Sequence, residues 1–225
     1  MKSNLIYNEE LLAGKTALVT GGASGLGRSI AVGLSQVGAN VIIVSRQEEV
    51  LAKAAKEISD ETDREVTYDV VDIRDIESVA QLSQRHDNVD ILVNNAGGQF
   101  PQKARDFSPN GWRSVIDLNL NGTWNMTQAF GNNMLEGGGG SICQIIATVG
   151  RGIPGIAHSA SARAGVLELS RTLAFEWGPK VRVNCVAPGQ FRTQAFDSTY
   201  EEGVGDGFVE QPLPCLLYTS PSPRD

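Results

Sequence analysis

The sequence predicts an α/β domain: one doubly wound parallel sheet with helices on both faces. Three observations predict it. Short apolar runs alternate with segments of helical period along most of the chain. The runs are nearly continuous in Val, Ile and Leu, as strands buried on both sides require. The first run leads directly into a glycine-rich turn that opens a helix.

In chain order, the first strand is KTALVT (15–20), and a helix near 25–37 follows its glycine turn. NVIIVS (40–45) is the second strand, with a helix near 46–59. EVTYDVV (65–71) is the third and leads to a helix near 75–86. VDILVN (89–94) is the fourth and precedes one long helix near 110–135. The GGGG stretch (137–140) turns the chain into the fifth strand, SICQII (141–146). A helix near 158–177 then leads to the sixth, VRVNCV (181–186). No internal repeat is present.

Composition bounds the function. The 225 residues suffice for one α/β domain with a full core. No apolar run reaches the ~20 residues of a membrane helix, and the N-terminus lacks the apolar core of a signal peptide. A net charge of −7 disfavours a nucleic-acid binder. Cys143, Cys185 and Cys215 have no CxxC spacing, which fits reduced thiols and no metal site. Cys143 and Cys185 fall in apolar runs, as small core residues do.

TALVTGGASGLGRSI (16–30) sets Gly21, Gly25 and Gly27 between strand and helix. Glycines there let the backbone approach a pyrophosphate, and the helix N-terminus offers free N–H groups to it. The spacing is GxxxGxG rather than GxGxxG, and a ligand-free turn is the plainer alternative. The strand–turn–helix context favours a Rossmann-type dinucleotide site. At the end of the second strand, where a carboxylate would bind a ribose 2′-hydroxyl, stand Ser45 and Arg46. A guanidinium suits a 2′-phosphate, so the expected cofactor is NADP(H). A solvated arginine opening a helix is the alternative.

TGGASGLG, NNAG (94–97) and APGQFRT (187–193), in this order, resemble the short-chain dehydrogenase/reductase family over residues 12–195. The resemblance implies that Gly21, Ser24, Gly25, Leu26 and Gly27 meet the cofactor phosphates. It implies that Asp72 and Ile73 lie beside the adenine, and that Asn95, Ala96 and Gly97 support the ribose. Pro188, Gly189 and Thr193 match the loop that meets the nicotinamide. Asp72 has a plainer reading as the cap of the helix near Asp75, and the PG pair as a simple turn.

The family uses Asn, Ser, Tyr and Lys, the last two spaced YxxxK. Here no Tyr lies between residues 69 and 199, and no Lys between Lys103 and Lys180. Aligning SARAG with the family's SxKAG puts Ser159 at the Tyr position and Arg163 at the Lys position. Asn119 in DLNLNGTW matches the family Asn, and the usual Ser falls at Ala147 or Thr148. A serine hydroxyl is too weak an acid to replace a phenol in ketone reduction. Hydride addition to an α,β-unsaturated thioester asks for less. Charge collects on the thioester oxygen, and hydrogen-bond donors alone stabilise it. Ser159 and Thr148 are candidate donors. Arg163 would hold the ribose; being permanently charged, it is no proton donor.

NNAGGQF (94–100), GW (111–112), HSASARAGV (158–166) and AFEWG (174–178) are similar to the trans-2-enoyl-CoA reductase branch of that family. The 2,4-dienoyl-CoA reductases are close to it but carry Lys where Arg163 stands and Tyr near Thr148. The expected activity is therefore NADPH-dependent reduction of a 2-enoyl-CoA, a fatty acyl thioester. A carbonyl or alcohol oxidoreductase with an atypical acid stays open, as does a non-catalytic NADP-binding protein. His158 is expected to be structural, with proton relay as the alternative. Trp112, Trp124, Trp177, Phe130 and Phe175 read as core or interface. Gln99 and Phe100, just past a strand end, are candidate walls for an acyl chain.

After EQPLP the strand–helix rhythm stops, and CLLYTSPSPRD (215–225) takes over. The expected domain is 1–214, short of the family's last strand, with 215–225 a non-native or disordered tail. The resemblance implies a homodimer or homotetramer through the two long helices. The expected location is cytoplasmic, or peroxisomal in a eukaryote.

Overall fold

The computed structural model describes residues 7–147 and 154–189. Six parallel strands form one sheet in the order β3-β2-β1-β4-β5-β6. They are β1 (Thr16–Thr20), β2 (Asn40–Ser45), β3 (Val66–Val70), β4 (Ile91–Asn94), β5 (Gly140–Ile145) and β6 (Val181–Val186). The helices between them are α1 (Gly25–Gln36), α2 (Glu48–Thr62), α3 (Ile76–Arg85), α4 (Pro109–Ile116), α5 (Gly122–Glu136) and α6 (Ala157–Trp177). The chain order reverses between β1 and β4, so their C-terminal ends flank the crevice where open sheets bind ligands.

Register explains the two cores. Leu18 pairs with Ile42 and Leu92, and Leu92 with Ile142, which makes one row across the sheet. On that face lie Val79 and Leu82 of α3, Met126, Phe130 and Met134 of α5, and Leu173 of α6. The alternate row, Val19, Ile43 and Val93, meets Ala31 of α1 and Leu51, Ala54 and Ile58 of α2. Side chains of successive strand residues point to opposite faces, so each central strand feeds both cores. Phe130 is fully buried, and Trp124 and Trp177 pack against its cluster. Cys143 and Cys185 are free and half-buried, and burial pushes the Cys143 thiol up.

Three departures from the sequence reading have physical causes. At the edge, β3 (VTYDV) exposes Thr67, Tyr68 and Val70, since it has a neighbouring strand, β2, on one side only. The strand β6, at the other edge, alternates, with Val181 and Val183 buried and Arg182 and Asn184 exposed. The single helix expected over 110–135 is interrupted by a π-helical segment, Asp117–Asn121, between α4 and α5. There the N–H of Gly122 bonds the carbonyl of Asp117, five residues back. The tail 215–225, Thr148 and Thr193 lie outside the described residues. Among the described residues no helix is long and apolar enough to cross a membrane.

Candidate active site

The glycine loop forms a cradle where β1 and β4 end. Gly21 and Gly25 take left-handed φ of 64° and 52°, which carry the chain from β1 into α1. Ser24 stands at the N-cap of α1 with extended backbone and no side-chain bond to the helix. The first-turn N–H groups of α1 are thus left for an anion. Leu26 packs against the core beneath. At Gly27 a Cβ would overlap the Gly21 carbonyl oxygen and Nδ2 of Asn95, so the helix rests directly on the loop.

Thr20 fastens this cradle. Its Oγ1 accepts the N–H groups of Asn95 and Ala96, both at 2.9 Å. Asn95 Nδ2 donates back to the Thr20 carbonyl at 3.0 Å. Sequence reasoning assigned Asn95 and Ala96 but missed Thr20. The available signal was a hydroxyl as the last residue of an otherwise apolar strand.

At the C-terminal end of β2, Ser45 is half-buried and Arg46 exposed. Arg74 clamps the Asp72 carboxylate through its backbone N–H (3.0 Å), its Nε (2.9 Å) and its Nη2. The bond from Arg74 holds the Asp72 carboxyl below the usual carboxylate range, and the charge of Arg46 adds to it while burial opposes it. The helix cap beside it is Asp75, which accepts from Glu77 and Ser78 of α3. Ile73 is 5% exposed, with its side chain in the core against Gly122. Any contact of Ile73 with an adenine would therefore come from its main chain.

The third cluster gathers around Asn119, in the π-helical segment and 1% exposed. Its Oδ1 accepts the Gly98 N–H at 2.9 Å, and its Nδ2 donates to the Gly98 carbonyl at 2.9 Å. Nδ2 also reaches Ser159 Oγ, on α6, at 3.4 Å. The Asn119 carbonyl accepts from Thr123 Oγ1 at 2.9 Å, and Thr127 Oγ1 repeats this on Thr123 at 2.7 Å. The Thr123 hydroxyl thus gives the Asn119 carbonyl a partner at the break in the helix.

One turn beyond Ser159, Arg163 is 8% exposed. Nη2 donates to the Ala96 carbonyl at 3.4 Å, while Nη1 is buried without a partner among the described residues. Burial pulls the guanidinium down to about 10, still well above neutral pH. Gly97 lies on this group: a Cβ there would overlap Nη2. The structure thus brings Asn95, Ala96, Gly97, Asn119, Ser159 and Arg163 together. Ala147 is half-buried and carries only a methyl. Pro188 and Gly189 follow β6 at its C-terminal end.

His158, beside Ser159, is fully buried. Its ring lies 4.7 Å from Phe100 and 4.5 Å from Phe107, centroid to centroid. Burial holds its pKa below the ordinary value of 6.5. Phe107 also meets Trp112, at 6.1 Å.

A doubly wound sheet with a glycine cradle at its switch point defines a Rossmann-type, dinucleotide-binding protein. The model of the short chain dehydrogenases matches residues 15–203, so the chain belongs to that family of oxidoreductases. It is 38% identical over 190 residues to a peroxisomal 2,4-dienoyl-CoA reductase of Danio rerio, covering 82% of this chain and 63% of that protein. The chain thus spans less than two thirds of that relative's length. It is also 38% identical over 207 residues to a 3-oxoacyl-acyl-carrier-protein reductase of Chlamydia muridarum, covering 89% of this chain and 82% of that one. A short chain dehydrogenase of Shigella flexneri, solved with NADP, superimposes with a TM-score of 0.80 at 31% identity. That match covers 86% of this chain and 84% of the neighbour. The NADP(H) expectation drawn from Ser45 and Arg46 accords with that neighbour's ligand.

Proposed function

We propose that the protein is an NADPH-dependent reductase of the C=C bond of 2-enoyl thioesters such as 2-enoyl-CoA. The observation that carries this reading is the Asn119–Ser159 pair beside a buried, half-satisfied Arg163, in a chain with no tyrosine between residues 69 and 199. Among the described residues, the tyrosines are Tyr7 and Tyr68, 64% and 39% exposed, with Tyr68 on the edge strand β3.

The residues fit the cofactor. The cradle at Gly27 admits a close backbone approach, Arg46 with Ser45 suits a 2′-phosphate, and Arg163 Nη1 has a bond to give to a ribose hydroxyl. NADPH, when bound, supplies the hydride. Hydride goes to Cβ of the substrate, the C=C π pair becomes the bond between Cα and the carbonyl carbon, the carbonyl π pair moves onto the thioester oxygen to give an enolate, and a proton from water is taken up at Cα as the carbonyl re-forms. Ser159 donates its O–H to that oxygen, while Asn119 Nδ2 occupies a lone pair of Ser159 Oγ and so fixes its rotor. Arg163 holds the ribose and adds positive potential that favours the enolate. Thr148, Pro188, Gly189 and Thr193 complete the site in this reading, Thr148 as a second donor.

The test is NADPH oxidation with crotonyl-CoA and longer 2-enoyl-CoA, run beside 2,4-dienoyl and 3-oxoacyl thioesters. Absence of turnover with every 2-enoyl chain length would refute the reading. The Chlamydia muridarum relative favours a second reading, reduction of a 3-oxoacyl thioester. Turnover of the 3-oxoacyl substrate alone, lost in Ser159→Ala, would select it. Assembly as a homodimer or homotetramer is proposed on α6, whose Phe175 ring is 90% exposed. The proposed location is cytoplasmic, or peroxisomal as for the Danio rerio relative.

A further inference from the structure

The N-terminus of α6 has a capping problem. Ile156 occupies the N-cap, and its side chain has no acceptor for the first-turn N–H groups. Its carbonyl takes the Ala160 N–H at 2.9 Å. The Ser159 N–H bonds instead to Nδ1 of His158, at 2.8 Å. Accepting at Nδ1 places the ring proton on Nε2 and leaves the ring neutral, and this bond from Ser159 competes with the Ile156 carbonyl, which also reaches the ring and favours a protonated nitrogen. Nε2 is buried and has no partner among the described residues.

The ring also fastens a loop. Phe100 meets it edge-on at 90°, and Phe107 at 52°. Phe100 follows Gly98 by two residues, and Gly98 is the residue that Asn119 grips at both N–H and carbonyl. The imidazole thus touches both sides of the Asn119–Ser159 contact: the helix that carries Ser159 and the loop that Asn119 clamps.

We propose that His158 is a positioning residue. As a neutral ring it caps α6 through the Ser159 N–H and seats the Phe100–Phe107 loop, and so brings the Ser159 hydroxyl onto Asn119. The proposal rests on the donor role given to Ser159 above. It assigns His158 no contact with substrate and no proton transfer.

Three variants separate the contributions. His158→Asn keeps an acceptor at the Nδ1 position, His158→Gln moves it one bond outward, and His158→Phe keeps only a ring. Two readouts need no substrate: the imidazole nitrogen shifts of the wild type, and hydrogen exchange at the Ser159 amide. The expected wild-type ring is the Nε2-protonated tautomer. Exchange at Ser159 should be slow in wild type and His158→Asn, and about tenfold faster in His158→Phe and His158→Gln, the size of one net hydrogen bond. For crotonyl-CoA reduction, kcat should fall about tenfold in His158→Phe at unchanged NADPH Kd and recover in His158→Asn.

An Nδ1-protonated ring in the wild type overturns the proposal, as does unchanged Ser159 exchange in His158→Phe. Equal kcat in all variants, with wild-type turnover, overturns the link to catalysis. If the wild type reduces no enoyl thioester while the exchange pattern holds, the enoyl reading fails and the capping role stands. If His158→Phe does not fold, the wild-type tautomer and the contrast between His158→Asn and His158→Gln decide.

Discussion

Gly97→Ala should damage the protein through one atom pair. Gly97 is not among the glycines with positive φ, so alanine fits its backbone. The added Cβ would overlap Arg163 Nη2 and stand 3.0 Å from Asn119 Oδ1 and 3.1 Å from Arg163 Cζ. Restoring ordinary separation of ~3.5 Å means moving the guanidinium by about 1 Å or more. Arg163 is buried, so it has little room to withdraw, and its bond to the Ala96 carbonyl breaks. Overpacking of this kind costs about 1–3 kcal/mol of stability, and a 1 Å displacement in a site costs ~100-fold in kcat/KM. The assay is a double-mutant cycle with Arg163→Ala, read as unfolding free energy and NADPH Kd. In the Arg163→Ala background the clash has no partner, so Gly97→Ala should be close to neutral, with a coupling of about 1–3 kcal/mol. Additive effects, or full activity in Gly97→Ala, would refute the reasoning.

Arg46→Ala should raise the KM for NADPH by about 10- to 100-fold and leave that for NADH nearly unchanged, since one charge-assisted phosphate contact is lost; equal effects on both cofactors would count against a 2′-phosphate at Arg46. Thr20→Val leaves the Asn95 and Ala96 N–H groups without their acceptor and should cost about 2–4 kcal/mol in denaturant unfolding. Thr20→Ser should recover most of it, and equal losses in both variants would mean that the methyl, not the hydroxyl, matters. Burial disfavours protonated His158, so below the ordinary value of 6.5 the unfolded chain binds a proton that the folded chain refuses. Stability is then full above that value and falls as pH drops below it. Unfolding free energies at stepped pH should show this slope in wild type and a smaller slope in His158→Asn; identical slopes would contradict it.

Much of the scaffold was legible because both cores are periodic. Leu18 and Val19 alternate between faces within a strand, and Leu51, Ala54, Ala55 and Ile58 recur at helical spacing. Pattern of this kind locates elements well. The Ser159–Arg163 spacing was equally legible, because four residues on a helix bring two side chains to one face. Long-range partners carry no period. Nothing local says that Thr20 receives the N–H groups of residues 75 and 76 positions away. Nor does the sequence show that Phe100 and Phe107 enclose His158. Asp72 illustrates the converse: its side chain was read toward a ligand, and its nearest cation, Arg74, was only two residues on.

The helix break at Asn119 shows why a correct pattern can still hide geometry. Val115, Asn119, Thr123, Thr127 and Gly131 are all buried at steps of four, so the row of inward residues runs on through the break. A step of four alone does not separate an α-helix from one with a single wide turn. What differs is which backbone groups are paired. Across the π-helical turn the Gly122 N–H reaches back to Asp117, and the Asn119 carbonyl takes a side-chain hydroxyl, from Thr123. The polar residues Asp117, Asn119 and Asn121 are weak helix formers, which keeps a widened turn affordable in energy. The break therefore falls where the site needs one side chain to meet a neighbouring loop and helix together: Asn119 binds both backbone groups of Gly98 and still reaches Ser159. Asn119→Asp would set a second acceptor against the Gly98 carbonyl, and it should separate these elements even though its size is unchanged.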